Sequence, residues 1–269
     1  MSLIASIQMI STPRCADNLA SVERLLLQAK NAGAKIALLP ENFAMMAQED
    51  AAVLSIKERL GEGPIQEFLS QQARKLGLWI IAGTIPIASE DPSKVYAACL
   101  IYDAVGERVA RYDKIHLFDV ELENEESYKE SATMMAGSQP LVVETPFARI
   151  GIAICYDLRF PEMFRYLIDQ GAELIAVMAA FTASTGAAHW ECLLRARAIE
   201  NLCYIAASNQ GGLHENGRET FGNSMIIDPW GQIKSQVEQG EGVITAQIDR
   251  TSMQQTRKTF PCLQHRKIS

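Results

Sequence analysis

Apolar residues along this chain fall into two periods that alternate, and the alternation lays out the fold before any chemistry is considered. Leu3 to Ile10, Lys35 to Leu39, Leu78 to Thr84, Arg149 to Ile154 and Leu174 to Ala180 are nearly unbroken runs rich in β-branched and small apolar residues. Such runs fit strands covered on both faces better than strands half-exposed to water. Between the first two, Leu19, Val22, Leu25, Leu26 and Ala29 recur at helical spacing. They predict a helix capped by Asp17, running through about Ala32 and ended by Gly33. That strand–helix–strand opening predicts a parallel pair joined by a crossover. Further helices are expected over Ile65 to Leu76, Phe164 to Gln170 and Trp190 to Leu202, the last with His189 and Trp190 anchoring its start. Val95 to Asp103 and Arg108 to Asp113 flank a four-residue turn and predict a hairpin. Cys203 to Ser208, Asn223 to Ile227, Gln232 to Val237 and Gly242 to Ile248 complete the strands. Glu121 to Gly137 is polar, acidic and without a period, so it reads as a long loop, and loops of that length often serve function. Residues 250–269 form a basic, weakly patterned C-terminal tail. No low-complexity linker divides the chain, and a single α/β domain over 1–269 is expected.

Composition narrows the class. At 269 residues, 48% hydrophobic and 21% charged, the chain has the make-up of a globular protein with a sizeable core. A net charge of −7, with no cluster of Lys and Arg, argues against a nucleic-acid or anionic-membrane partner. The N-terminal stretch lacks a basic flank, and its apolar run is too short to span a bilayer. A mature cytoplasmic enzyme is the expectation. The six cysteines lie far apart, none in CxxC spacing, and the four histidines show no HxxxH pattern. Neither a disulfide framework, a metal nor a cofactor is expected.

The stretch with the most chemistry in it is RIGIAICYDLRFPE, Arg149 to Glu162. Cys155 stands where the apolar strand stops, and Tyr156, Asp157 and Pro161 break it before helical spacing resumes. A sharp strand-to-helix turn exposes a nucleophile and aims backbone N–H groups at it. The competing reading is a buried core cysteine, since Cys is among the most buried residue types. The polar, arginine-bearing turn favours the nucleophile. A thiol needs a base or a cation beside it. No histidine adjoins Cys155 in sequence, although His116 and His189 are not excluded by distance along the chain. Glu41 and Lys114 each follow a predicted strand directly, at the edge where α/β sheets gather ligands.

LLPENF, YDKIHLFD and GIAICYDLRFPE, in that order and spacing, resemble the three motif blocks of the nitrilase, or carbon–nitrogen hydrolase, superfamily. The resemblance covers nearly the whole chain. It implies a four-layer α-β-β-α sandwich, an α/β fold of two sheets packed face to face with helices outside. It also implies Glu41 as general base, Lys114 as oxyanion stabiliser, Cys155 as nucleophile and the Tyr156 backbone N–H as second oxyanion donor. Glu130, in KES, resembles the family's second active-site glutamate. Its alternative reading is an exposed acid among Glu121, Glu123, Glu125 and Glu126. A homodimer or larger assembly is also implied.

Within the superfamily, Tyr156-Asp157 departs from the Trp-Glu of the nitrilase branch, and Leu158-Arg159 from the paired arginines of the carbamoylases. TGAAHWECLLRARAIEN, GLHENGRETFGNSM and DPWGQI look most like the deaminated glutathione amidase group. The resemblance implies a small-molecule amide substrate, deaminated glutathione, cleaved to 2-oxoglutarate and cysteinylglycine. An ω-amidase acting on 2-oxoglutaramate is the alternative, and a catalytically idle binding or scaffold member is the alternative from a different class. Arg159 is the guanidinium nearest the nucleophile and a candidate for a substrate carboxylate. An ion pair with Asp157 or Glu162 is equally open to it. Phe181, Thr182 and Thr185 are candidates for the pocket wall. Arg195 and Arg197 are expected in packing or subunit contact. The loop from Gly211 to Arg218 is either a wall for the leaving group or a solvated hairpin.

Overall fold

The structure, a computed structural model, describes residues 2–121 and 127–268. In chain order its first half holds β1 (Ser2–Gln8), α1 (Cys15–Asn31), β2 (Ile36–Leu39), α2 (Pro64–Leu76), β3 (Trp79–Ala88), β4 (Val95–Tyr102) and β5 (Arg108–Asp113). A small hairpin, β6 (Asp119–Glu121) and β7 (Ser127–Lys129), precedes β8 (Val142–Glu144), β9 (Arg149–Ile154), α3 (Pro161–Asp169), β10 (Leu174–Ala179) and α4 (Ala183–Asn201). The chain ends with β11 (Tyr204–Asn209), the hairpin β12 (Gly211–Leu213) and β13 (Glu219–Phe221), β14 (Ser224–Ile227), β15 (Ile233–Val237), β16 (Gly242–Ile248) and α5 (Arg250–Thr259).

Two six-stranded sheets form, ordered β16-β1-β2-β3-β4-β5 and β15-β14-β11-β10-β9-β8. In each, three central strands are parallel (β1, β2, β3 and β9, β10, β11) and the flanking pairs are antiparallel. The sheets pack face to face with helices outside, which is the four-layer α-β-β-α sandwich. Alternation explains the layers: Ile36 and Leu38 join the core between the sheets, whereas Ala37 and Leu39 join the core under α1 and α2. Both faces of β2 are covered, hence its unbroken apolar run. Among the described residues no helix is long and apolar enough to cross a membrane.

Several elements differ from the sequence reading. Asp17 does not cap α1; Arg14 occupies the cap position, and Asp17 in the first turn accepts from its Nε at 2.5 Å. The stretch read as a long loop carries β6 and β7, paired Asp119 to Lys129 and Glu121 to Ser127. Glu123, Glu125 and Glu126 lie outside the described residues. Helix α4 starts well before Trp190, within a run of small residues that hid it. One of them has a packing reason: a Cβ on Gly186 would fall 2.3 Å from the Phe221 Cβ. Trp190 therefore sits buried in mid-helix, with Nε1 donating to the Asn223 carbonyl at 2.8 Å. His189 is exposed one residue before it. The tail contains α5, capped by Asp249 and pinned by buried Met253 and by Arg257 donating to the Leu202 and Ala172 carbonyls.

Candidate active site

Three strand ends meet at one edge of the sandwich. Glu41 follows β2 after Pro40, and Asn42 beside it adopts a left-handed φ of 58°. Gly83 on β3 allows this close passage, because any Cβ there would lie 1.9 Å from the Pro40 carbonyl oxygen. Lys114 follows β5, its backbone N–H bonded to the Ala97 carbonyl at 3.1 Å. Cys155 follows β9 directly and begins a short 3-10 helix, Cys155–Arg159, with a left-handed φ of 48°. A cysteine held in that region is strained backbone, sustained only by firm surroundings.

Those surroundings are centred on Asp157, which is fully buried. Its carboxylate accepts from the Tyr112 hydroxyl at 2.7 Å, the Ile154 N–H at 2.8 Å, the His116 N–H at 3.2 Å and His116 Nδ1 at 2.6 Å. Arg197 clamps the same turn from α4 by donating to the Leu158 carbonyl through Nε at 3.2 Å and Nη2 at 2.9 Å. The elbow carrying Cys155 is thus tied to β5 on one side and to α4 on the other.

Lys114 is 2% exposed, and its ammonium lies between two carboxylates. It donates to Glu41 Oε1 at 2.8 Å and to both Glu130 oxygens at 2.9 Å. Glu41 Oε2 accepts from the Ala180 N–H at 2.7 Å, and Glu41 and Cys155 border the same chamber. Glu130 accepts from the Phe118 N–H at 2.6 Å. Burial acts against the Lys114 charge, but Glu130 and Glu41 outweigh it and hold the ammonium's pKa well above its ordinary value. Burial likewise pushes Glu41 up, yet Lys114, the Cys155 thiol and the Arg218 charge leave its carboxyl below the usual range. For Glu130, burial wins and, helped by the Glu41 charge, raises the carboxyl despite Lys114. Burial and then Glu41 push the Cys155 thiol up, against the opposing pull of Lys114. The resting site therefore sets a neutral thiol beside an ionised carboxylate. That pair can transfer a proton as a bond to sulfur forms, with a cation alongside for developing negative charge. Among the described residues no group of three or more His, Cys, Asp or Glu is arranged to hold a metal ion.

The carbon–nitrogen hydrolase family pattern matches residues 3–258. The chain belongs to that family. Among this hydrolase's relatives, the deaminated glutathione amidase of Yersinia enterocolitica is 41% identical over 267 residues, covering 98% of this chain and 93% of the relative. The omega-amidase NIT2-A of Xenopus laevis is 32% identical over 264 residues, covering 98% and 94%. In structure it superposes on the C. elegans NitFhit protein with a TM-score of 0.92 at 33% identity, over 99% of this chain. It spans 65% of that longer polypeptide.

The hydrolase fold brings Glu41, Lys114, Glu130 and Cys155 together, so Glu130 is no loose surface acid. Tyr156, Arg159, Phe181, Thr182 and Thr185 border a narrow cleft on one side of the thiol. Arg159 pairs with neither Asp157 nor Glu162. Its guanidinium lies over the Phe181 ring at 5.2 Å and the Tyr156 ring at 5.9 Å, and Nη1 donates to His189 Nδ1 at 3.2 Å. Two contributors escaped the sequence reading. Asp157 stood beside the nucleophile but gave no sign of its four bonds. Arg218, at the end of the group-specific segment, borders the site although 63 residues from Cys155 in sequence. Arg195 donates to the Gly231 carbonyl at 3.0 Å.

Proposed function

We propose that this carbon–nitrogen hydrolase is a thiol amidase in which Cys155 attacks, Glu41 moves protons and Lys114 steadies the oxyanion. The observation that carries the reading is the buried Glu41–Lys114 pair, 2.8 Å apart, set beside the Cys155 thiol in one chamber. Glu41 takes the thiol proton as sulfur bonds to the amide carbon. The carbonyl oxygen becomes an oxyanion facing the Lys114 ammonium and the Tyr156 N–H. Collapse breaks the carbon–nitrogen bond, with Glu41 returning the proton to the departing nitrogen and leaving a thioester. Glu41 then deprotonates water, which adds to the thioester carbonyl. The carboxylic acid leaves, and the thiol recovers its proton. Glu130 keeps Lys114 in place through its two bonds.

The substrate we propose is deaminated glutathione, the one in the Yersinia relative's name, and its hydrolysis gives 2-oxoglutarate and cysteinylglycine. Arg159 suits the acyl carboxylate, since bidentate guanidinium reads that group best and no acid neutralises Arg159 within the turn. The same reading makes the protein a single-domain, cytoplasmic homodimer or larger assembly that repairs a transaminase side product.

Cys155→Ser tests it. The variant should fold and bind substrate but lose turnover, and one equivalent of iodoacetamide should abolish wild-type activity while labelling Cys155. Full activity in the serine variant, or inactivation mapped to Cys192, rejects the nucleophile. A wild-type preference for 2-oxoglutaramate of about tenfold or more in kcat/KM hands the substrate to the ω-amidase reading.

A further inference from the structure

The thiol of Cys155 opens on two unequal spaces. One is the narrow cleft beside Arg159, of about 10 Å³. The other is a chamber of about 280 Å³ whose walls include Glu41, Lys114, Met45, Met134, Asn216 and Arg218. Arg218 borders both. In the proposed mechanism the departing nitrogen takes its proton from Glu41, so the leaving group lies on the side Glu41 faces, which is the chamber. Ammonia, the size of a water, needs only about 10–15 Å³. The chamber has room for a far larger leaving group.

Its one arginine is held from outside and uncommitted within. Arg218 sits in the β12–β13 hairpin, which is anchored and not merely solvated. His214 is buried between the Ser11 carbonyl at 2.9 Å and the Thr220 hydroxyl at 2.8 Å, and Asn216 donates to the Ala47 carbonyl at 2.8 Å. Arg14 grips Glu215 with bonds of 2.8 and 2.6 Å. The Arg218 guanidinium gives Nη2 to the Ala180 carbonyl at 2.7 Å and lies 5.3 Å from the Tyr128 ring centre. Its Nε is buried without a hydrogen-bond partner. Among the described residues Arg218 takes part in no ion pair. In a chain of net charge −7, a pocket guanidinium that feels the Glu41 charge but has no carboxylate within ion-pair distance among the described residues is suited to an anionic ligand.

We propose that Arg218 receives the carboxylate of a peptide-like leaving group, so that the chamber selects a substituted amide ending in a carboxylate over a primary amide. Met45 and Met134 supply an adaptable, polarizable wall for the side chain between the amide and that carboxylate. The anchored hairpin presents the guanidinium in place, which limits the ordering cost on binding.

The proposal rests on the amidase reading, and the test separates the two. Deaminated glutathione is compared with its glycine carboxamide, in which only the terminal charge is removed, on wild type, Arg218→Gln and Arg218→Lys. Wild type should favour the free carboxylate by about tenfold or more in kcat/KM. Arg218→Gln should erase that preference, and Arg218→Lys should keep part of it. The same two ligands titrated onto Cys155→Ser protein should show the same discrimination in Kd, without turnover. Equal handling of the two ligands by wild type, or a preference that survives Arg218→Gln, overturns the role of Arg218. If neither compound is hydrolysed, the amidase reading falls, while the binding titration still decides for or against Arg218.

Discussion

The end of β2 and the β6–β7 hairpin region each deliver one glutamate to Lys114, yet the two carboxyls are pushed in opposite directions. Glu41 stands on a strand end inside the sandwich, where a lysine, a backbone N–H and the thiol all favour its charge. Glu130 begins the short 3-10 turn after β7, takes two bonds from Lys114 and one from the Phe118 N–H, and still loses to burial and to the Glu41 charge. One buried ammonium does not stabilise two adjacent carboxylates equally. Carboxyls pushed apart in this way take separate tasks, the lowered one remaining ionised and ready to accept a proton. Their effects on stability are opposite as well. Glu41 adds stability above about pH 4.3, the ordinary glutamate value, and loses it as pH falls through its lowered value. Glu130 subtracts stability as pH climbs from that ordinary value through its raised one.

The largest effect should come from breaking the Glu41 side. Glu41→Gln keeps the shape and removes the proton carrier, so kcat should fall by about 10²–10⁴-fold with little change in substrate binding. Near-normal turnover in that variant would return the search for a base to His116 and His189. A middle-sized effect sharpens the contrast. Glu130→Gln should cut kcat/KM by roughly 10–100-fold through a poorly held Lys114. Thermal melts between about pH 4 and pH 8 should show wild type losing stability with rising pH across the Glu130 window, and the glutamine variant free of that loss. The same slope in both proteins would mean that Glu130 is not raised. The smallest effect tests whether a histidine belongs to the comparison at all. His116→Ala removes one of the two bonds that His116 gives Asp157, since the backbone N–H stays. Stability in urea should drop by about 1–2 kcal/mol, while kcat stays within about threefold. A dead, folded His116→Ala would favour a Cys-His pair.

The strand runs were legible because a strand covered on both faces is apolar at every position, and β2 and β9 read that way directly. Where the pattern failed, a local signal was missing or misleading. Helix α4 opens with Ser, Thr, Gly and Ala, of which Gly186 makes the close approach to Phe221, so its first two turns look like a loop. The β6–β7 hairpin is too short for a period of two to stand out. Arg159 looked ready to pair with the acids of its own turn, but Asp157 is turned inward toward Tyr112 and His116.

By itself the sequence determined which residue types could act and at which breaks in the pattern they stand: an acid after β2, a lysine after β5, a cysteine after β9. Those are local facts, written in periodicity and in the residues that end it. Tertiary structure alone decided which of them meet. Ala180 reaches Glu41 across 139 residues, and Lys114 reaches it across 73. Burial, set by the closed sandwich, is the first cause acting on the pKa of all four site groups. Arg218 faces the nucleophile only because His214, Glu215 and Asn216 fasten its hairpin to the β1 and β2 ends. Contacts of that range depend on where two sheets bring loops together, and no spacing along the chain records them.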